Sequence, residues 1–144
     1  MTCCFFGSRD TPDRVRPLLH EAIRRAVNEY GADRFLVGNQ GNFDLLAQSV
    51  LQTCTRDEFP FIRYNIVLAY LPGTDAKHEP QDSSVTIYPE GLETVPPRFA
   101  IVRRNRWMTD HSDIVICHVP HSWGGAAKAV EYAEKKKKII LPIQ

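Results

Sequence analysis

The sequence predicts an α/β protein of the Rossmann-like type, a three-layer sandwich with a mostly parallel central sheet, in one domain over residues 1–144. Short apolar runs of strand character alternate with longer segments whose apolar residues recur at helical spacing. The connections between them are short, which is typical of right-handed crossovers and parallel strands. With 144 residues, the chain is long enough to form one hydrophobic core.

Six strands and four helices are expected from this alternation. The first strand contains no polar residue, which is typical of a strand covered on both faces. The expected strands are Cys3 to Phe6, Phe35 to Val37, Tyr64 to Tyr70, Val85 to Tyr88, Ile114 to His118 and Ile139 to Ile143. The expected helices begin at Pro12 behind a Thr11 cap and end at Gly31, cover Phe43 to Leu51, run from about Arg98 to His111, and start near Gly124. Pro72 and Gly73 end the third strand, and the polar residues Thr74 to Ser84 are expected to form a surface loop.

Composition and charge restrict the partners that the sequence favours. The formal net charge is +1, which provides no large positive field for a phosphate backbone. Nucleic acid is therefore not expected as a partner. The expected partner is a nucleotide-like small molecule, and assembly into a homo-oligomer is left open.

The amino-terminal residues and the cysteines indicate a cytoplasmic protein. The chain starts without a basic region or a long apolar stretch, and no apolar run approaches the roughly 20 residues of a membrane span. No membrane partner is expected. Each of the four cysteines lies within or beside an apolar run, so Cys3, Cys4, Cys54 and Cys117 are interpreted as buried thiols.

A metal site is not predicted. Cys117, His118 and His121 are close in sequence, but the segment has no CxxC pair. His118 would also point to the opposite face of a strand from Cys117. Neither a metal nor another cofactor is therefore expected.

Three glycine-containing segments follow strands directly and are expected to meet at the carboxyl edge of the sheet. They are Gly7-Ser8-Arg9, the segment from Gly38 to Asp44, and Ser122-Trp123-Gly124-Gly125. Glycine lets backbone amides approach a phosphate or a ribose, and a helix amino terminus adds partial positive charge. The predicted ligand-binding residues are Gly7, Ser8, Arg9, Gly38, Asn39, Gly41, Asp44, Arg106, Ser122, Trp123, Gly124 and Gly125.

Several of these residues have a second interpretation. Arg9 suits an anion, but it is also able to pair with Asp10 or Asp13 on the surface. Asp44 either accepts ribose hydroxyls or only complements the first turn of the second helix. Trp123 either stacks on a base or anchors its loop against the core. Any one glycine alone makes only a turn, whereas three such segments at one edge favour a ligand site.

Three glutamates are the candidate catalytic residues for cleavage of an N-glycosidic bond. Glu90 and Glu93 follow a strand at the carboxyl edge, and Glu131 lies on the last helix. Such a reaction needs a carboxylate that stabilises or traps an oxocarbenium-like centre. Solvated loop glutamates are the simpler interpretation. Arg106, three residues after Arg103, either turns toward an anion or remains hydrated.

In this order, the motifs resemble the SLOG superfamily, which is named for the DNA-processing Smf and LONELY GUY families. The resemblance rests on Gly7-Ser8-Arg9, the glycine loop ending in Asp44, and Asp113 to Ile116 leading to Gly124-Gly125 and the stretch Ala126 to Ala133. The stretch Arg104 to Met108, with Asp110 and Asp113, resembles a bacterial branch of that superfamily. The resemblance implies a Rossmann-like fold and a pocket for nucleotides or their derivatives.

Three functions follow as hypotheses. LONELY GUY enzymes, which release a base from a nucleotide, have two glycines, a Gly-Thr pair and a glutamate three residues after the threonine. Here Gly124-Gly125 is followed by Ala126 and Ala127 in place of the Gly-Thr pair. Binding or sensing of a nucleotide without a defined reaction is therefore the first hypothesis. An N-glycosidase or phosphoribohydrolase is the second, and a module that binds single-stranded nucleic acid is the third.

Overall fold

Strands and helices alternate along the chain as the sequence predicts. The computed structural model describes residues 1–71 and 85–144. The strands in these ranges are β1 (Thr2–Gly7), β2 (Arg34–Val37), β3 (Arg63–Val67), β4 (Thr86–Ile87), β5 (Ile114–His118) and β6 (Ile139–Pro142). The helices are α1 (Arg16–Tyr30), α2 (Asn42–Asp57), α3 (Ala100–Asp110) and α4 (Gly125–Lys135). The strands pair in parallel in the order β4-β3-β2-β1-β5-β6, which confirms the predicted α/β fold.

The two faces of the sheet are covered by different helices. In β1, Cys3 and Phe5 belong to the core cluster with α1 and α2, whereas Cys4 and Phe6 belong to the cluster with α3 and α4. Successive side chains of a strand point to opposite faces. The apolar run Cys3 to Phe6 therefore suits a sheet that is buried on both sides, and the predicted three-layer sandwich is confirmed.

The strand order places a topological switch point beside β1. From β1 the chain proceeds through β2 and β3 to β4 at one edge of the sheet, and then continues in β5 on the other side of β1. The segments after β1, β2 and β5 therefore begin at neighbouring positions on the carboxyl edge, where Gly7 is paired with His118. Ligand sites in open α/β sheets are found at such switch points.

The first helix begins later than predicted. A 3₁₀ turn covers Asp13–Val15, and α1 starts at Arg16. Thr11 does not act as its cap, because the Thr11 hydroxyl donates to the carbonyl oxygen of Ser8 at 2.8 Å. The predicted stop at Gly31 is confirmed, since this residue adopts the left-handed conformation with a φ of 74°.

The third and fourth strands are shorter than predicted. β3 ends at Val67 instead of Tyr70, at the point where the Val67 carbonyl accepts a hydrogen bond of 3.0 Å from Arg104 Nη1 on α3. β4 is reduced to Thr86–Ile87. The predicted strand end at Pro72 and Gly73 and the predicted surface loop from 74 to 84 lie outside the described residues.

The four cysteines are buried thiols, as predicted. Burial raises the pKa of Cys4 to about 12 and that of Cys117 to about 11, so these thiols stay protonated near neutral pH. Within the described part of the chain, no helix combines the length and the apolar character that crossing a membrane requires.

Candidate functional site

A cavity of about 410 Å³ opens at the carboxyl ends of the central strands. The segments after β1, β2 and β5 contribute to its walls, as does one face of α3. Most of the predicted ligand-binding residues line this cavity, namely Gly7, Ser8, Arg9, Gly38, Asp44, Trp123, Gly124 and Gly125. The glycine segments thus converge at one edge of the sheet. We call this space the edge cavity.

The structure places the other predicted ligand-binding residues outside the edge cavity. Arg106 lines a second cavity of about 300 Å³ between α3 and α4. Gly41 packs against Arg9 in the segment after β1. Asn39 Oδ1 is within hydrogen-bonding distance of Gln40 Nε2, at 3.5 Å. Ser122 is exposed on the loop before α4.

Close packing explains two of the predicted glycines. A Cβ atom on Gly7 would lie 2.1 Å from Cγ of Phe43, whose side chain is fully buried. Gly41 has a φ of 91°, and a Cβ atom there would lie 2.6 Å from Cα of Arg9. The Asn42 N–H donates to the Arg9 carbonyl at 2.9 Å across the same contact. These glycines therefore allow the end of β1 and the segment after it to approach the segment between β2 and α2.

Replacing Gly7 with alanine is expected to lower the free energy of unfolding by about 2 kcal/mol, because the added methyl group overlaps the Phe43 ring. The matched control is Gly125→Ala, whose added Cβ would meet nothing within 4 Å among the described residues. Its unfolding free energy should stay within about 0.5 kcal/mol of the wild-type value. Urea denaturation of both variants measures the difference, and equal stabilities would contradict this account.

The Ser8 hydroxyl is already engaged within the protein. Thr11 Oγ1 donates to the Ser8 carbonyl, so the hydrogen between the two hydroxyl oxygens, which are 3.1 Å apart, comes from Ser8. The Ser8 N–H donates to the carbonyl of His118 at 3.2 Å. Ser8 therefore fixes its loop to β5, and its Oγ presents lone pairs, not a free hydrogen, to the cavity.

A carboxylate and a guanidinium are buried together at the edge cavity. Asp44 is 7% exposed and Arg104 is 3% exposed, and both line the cavity. A Cβ atom on Gly38 would lie 2.7 Å from Asp44 Oδ2 and 2.9 Å from Arg104 Nη1, so this glycine leaves room for both groups. The Gln40 N–H donates to Asp44 Oδ2 at 2.9 Å. We call these two side chains the Asp44–Arg104 pair.

Burial controls the protonation of this pair. It raises the pKa of Asp44 from 3.8 to about 6, although the charge of Arg104 and the Gln40 N–H act in the opposite direction. Burial also lowers the pKa of Arg104, and the charge of Asp44 opposes that shift. Arginine remains protonated in proteins. Near neutral pH both groups are therefore charged, and each offsets part of the cost of burying the other.

Arg104 is a cavity residue that was not predicted from the sequence. Arg103 and Arg106 were the arginines singled out on α3, whereas the structure places Arg104 at the cavity. Arg104 lies four residues after Ala100 and four before Met108, both of which are buried. Helix residues at this spacing share a face, so the spacing was a usable signal.

The amino end of α4 presents backbone donors at the edge cavity. The Lys128 N–H makes the first hydrogen bond of this helix, to the Gly124 carbonyl at 3.1 Å. The amides of the preceding three residues, Gly125, Ala126 and Ala127, lack helical partners, and no side chain caps this end within the described residues. The first turn of α4 contains no acidic residue. Such an end favours an anion.

Trp123 does not anchor its loop against the core, because its side chain is 69% exposed. Its ring stacks on His121, with centroids 3.7 Å apart and planes inclined by 4°. His121 also donates from Nδ1 to the Trp123 carbonyl at 2.8 Å. Both rings line the edge cavity, and His121 was not among the site residues predicted from the sequence.

The three candidate catalytic glutamates lie away from the edge cavity. Glu90 and Glu93 are exposed in and beside the turn after β4, and Glu131 lines the second cavity, where it pairs with Lys135 at 3.6 Å. Among the described residues, the carboxylates that line the edge cavity are Asp10 and Asp44. The structure therefore does not bring these glutamates to the predicted ligand site.

One group of side chains has the composition of a metal site. Ligand atoms of His20, Cys54 and Glu58 lie within 4.8 Å of one another. Glu58 already accepts hydrogen bonds from Arg24 Nε at 2.5 Å and pairs with His20 Nε2 at 2.9 Å, and burial raises the pKa of the Cys54 thiol to about 11. A metal ion would have to displace the guanidinium and deprotonate the thiol, so the contacts present are those of an ion-pair network.

Comparison with known proteins identifies similar folds. No protein family matches the sequence, and none of the curated proteins matches it. The chain is similar to the X-ray structure of DNA processing protein A from Streptococcus pneumoniae, with a TM-score of 0.71 and 17% identity over 98% of this chain and 49% of that one. It is also similar to DNA processing protein A from Helicobacter pylori, with a TM-score of 0.68 and 16% identity over 99% of this chain and 64% of that one. The chain thus spans about half of the first protein and less than two thirds of the second.

These comparisons correct one expectation. The Helicobacter pylori protein has a single-stranded DNA binding mode, so the expectation, drawn from the net charge, that nucleic acid is an unlikely partner is wrong. The physical reason is that net charge is a sum over the whole surface, whereas binding depends on where the charges lie. The resemblance to DNA-processing proteins is supported at the level of fold. This chain shares its α/β fold with the two DNA processing protein A structures.

Proposed function

We propose that the edge cavity binds one nucleotide of a single-stranded nucleic acid. The observation that carries this proposal is the combination of an exposed tryptophan, a helix amino end with unpaired amides and an arginine around one cavity. Proteins that bind single strands combine aromatic side chains for the bases with positive groups for the backbone. A likeness in fold to the DNA processing proteins supports the same class of ligand.

The phosphate is assigned to the side of the cavity formed by Arg9 and the amino end of α4. The amides of Gly125 and Ala126, which have no helical partner, point partial positive charge at this position. Arg9 is exposed and adds a guanidinium that is able to bind two phosphate oxygens.

The base is assigned to Trp123, and the sugar to Asp44. Stacking on an exposed indole is possible for every base, which suits binding without sequence preference. The Asp44 carboxylate accepts the Gln40 N–H at Oδ2, which leaves Oδ1 as the acceptor for a sugar hydroxyl. Gly7 and Ser8 hold the segment after β1 in place and are not assigned a direct contact with the nucleotide.

A free nucleotide is the second candidate ligand. A volume of about 410 Å³ lies in the range of small-molecule pockets, and an enclosed Asp44–Arg104 pair suits a ligand with a polar sugar or base edge. Cleavage of that nucleotide is less favoured, because the glutamates needed for it lie elsewhere. The two ligands differ in one measurable respect, since only a strand gains affinity with length.

The test is a binding titration of labelled oligothymidylate and of thymidine monophosphate at two salt concentrations. Arg9→Ala is expected to weaken oligonucleotide binding about tenfold, because a charge-assisted contact to phosphate is lost. Arg14→Ala is the matched control, since Arg14 is exposed in the neighbouring 3₁₀ turn and does not line the cavity. It should bind as the wild type does.

Each outcome of this titration has a defined meaning. Oligonucleotide binding that weakens with salt and depends on Arg9 supports the proposal. Binding of the monophosphate with no gain from length supports the second candidate and contradicts the first. Absence of both, or equal effects of the two arginine substitutions, contradicts the assignment of the cavity as a phosphate site.

A further inference from the structure

We propose that the groove between α3 and α4 holds the continuation of the single strand, an inference that rests on the proposed function. This groove contains the second cavity, of about 300 Å³, and Asn105 and Gly125 line both it and the edge cavity. The two spaces are therefore neighbours on either side of the amino end of α4. A nucleic-acid strand that leaves the edge cavity past the amino end of α4 enters the groove directly.

Cationic side chains on both walls of the groove suit a phosphate backbone. Arg106 on α3 and Lys128 on α4 are exposed and line it. Neither pairs with a carboxylate within residues 1–71 and 85–144, in contrast to Lys135, which Glu131 neutralises at 3.6 Å. The Arg106 guanidinium instead lies over the ring of Tyr132, with Cζ 5.4 Å from the ring centroid. These two cations are thus available to a ligand.

The acidic groups at the groove are engaged by other residues. Glu131 is held by Lys135, and Asp110 accepts a hydrogen bond of 2.8 Å from the Tyr132 hydroxyl. The second bond fixes the Tyr132 ring, which in turn supports Arg106 at the wall. The groove therefore has a local cationic excess although the net charge of the protein is only +1.

The positions of the groove cations favour a nucleic-acid strand as the ligand over a second small molecule. A mononucleotide has its phosphate at one position, whereas successive phosphates of a strand reach successive cations. Lys128 lies in the first turn of α4 and Arg106 faces it from α3, so a strand passing over the amino end of α4 meets both. The expected direction of the strand is from the Arg9 side of the edge cavity toward Lys128.

The experiment compares two double variants that change the net charge equally. Arg106→Ala with Lys128→Ala removes the groove cations. Arg25→Ala with Arg56→Ala removes two exposed arginines, paired with Glu29 and Asp57, from the carboxyl-terminal halves of α1 and α2. These helices end at the amino edge of the sheet, opposite the cavity. The probes are a short oligothymidylate and thymidine monophosphate.

The groove variant is expected to bind the oligothymidylate about tenfold more weakly than the wild type at 0.1 M salt. Its slope of log affinity against log salt should be smaller by about 0.7 per phosphate contact removed. Its affinity for thymidine monophosphate should not change, and the control variant should match the wild type with both probes. Exchanging the cations, in Arg106→Lys with Lys128→Arg, should restore oligothymidylate binding.

The outcomes separate this inference from the function on which it rests. If the wild type binds the oligothymidylate but the groove and control variants behave alike, the path along the groove is wrong and the proposed function stands. If the groove variant loses both probes equally, its cations belong to the cavity and the path is again wrong. If the wild type binds no oligothymidylate, the proposed function fails and the path fails with it.

Discussion

Replacing Trp123 with alanine is expected to weaken binding of a short oligothymidylate by about 5- to 150-fold. The reason is that stacking of one base on an aromatic side chain contributes about 1 to 3 kcal/mol. The 69% exposure of Trp123 makes its ring available to a base, and removal of the ring from so exposed a position leaves the core intact. Trp123→Phe retains a stacking surface and should lose much less affinity.

The matched control for this substitution is Phe61→Ala. Phe61 is 62% exposed and lies just before β3, at the amino edge of the sheet. Its removal deletes a comparable aromatic surface far from the edge cavity, so oligothymidylate binding should match that of the wild type. Fluorescence anisotropy of labelled oligothymidylate measures both variants. Binding by Trp123→Ala within twofold of the wild type would contradict the assignment of the base to Trp123.

Stability should depend on pH through Asp44. Its pKa in the folded protein is about 6, raised from 3.8 by burial, so between these values the folded state holds a proton that the unfolded state has released. This contribution is fully present below pH 3.8 and is lost as the pH rises through 6. Its total size is about 3 kcal/mol, and about half of it is present at pH 5.

Urea denaturation of the wild type and of Asp44→Asn between pH 5 and pH 8 measures this contribution. The asparagine is isosteric and keeps an acceptor for the Gln40 N–H, but it does not titrate. The wild type should therefore lose about 1 kcal/mol more than Asp44→Asn as the pH rises across this range. Asp57→Asn, at an exposed carboxylate, should keep the wild-type pH dependence. Parallel curves for the wild type and Asp44→Asn would show that Asp44 is not held in a buried, proton-retaining site.

Elements with a clear residue period were predictable, but several of their ends were not. The run of α1 up to Gly31 and the apolar stretch Cys3 to Phe6 of β1 follow directly from their residues. The end of β3 does not, because the Val67 carbonyl meets Arg104, a side chain 37 residues away. The start of α1 was missed because the Thr11 hydroxyl binds the Ser8 carbonyl and so does not cap the helix.

The candidate site was predictable as a place, but only partly as a set of residues. Glycine segments after strands indicated the carboxyl edge, and most of their residues line the edge cavity. The packing role of Gly7 was not predictable, because it depends on contact with the ring of Phe43, which lies on another element. Glu131 is close in sequence to Gly124-Gly125, yet its position on α4 places it at the second cavity.

The sequence by itself determined the alternation of strands and helices, the burial of both sheet faces and the glycine segments at the strand ends. These properties depend on residues that are close along the chain. Only the tertiary structure decided the strand order with its switch point beside β1, the meeting of Asp44 with Arg104, and the position of cations along the α3–α4 groove. These depend on packing between segments far apart in sequence, for which a local pattern contains no information.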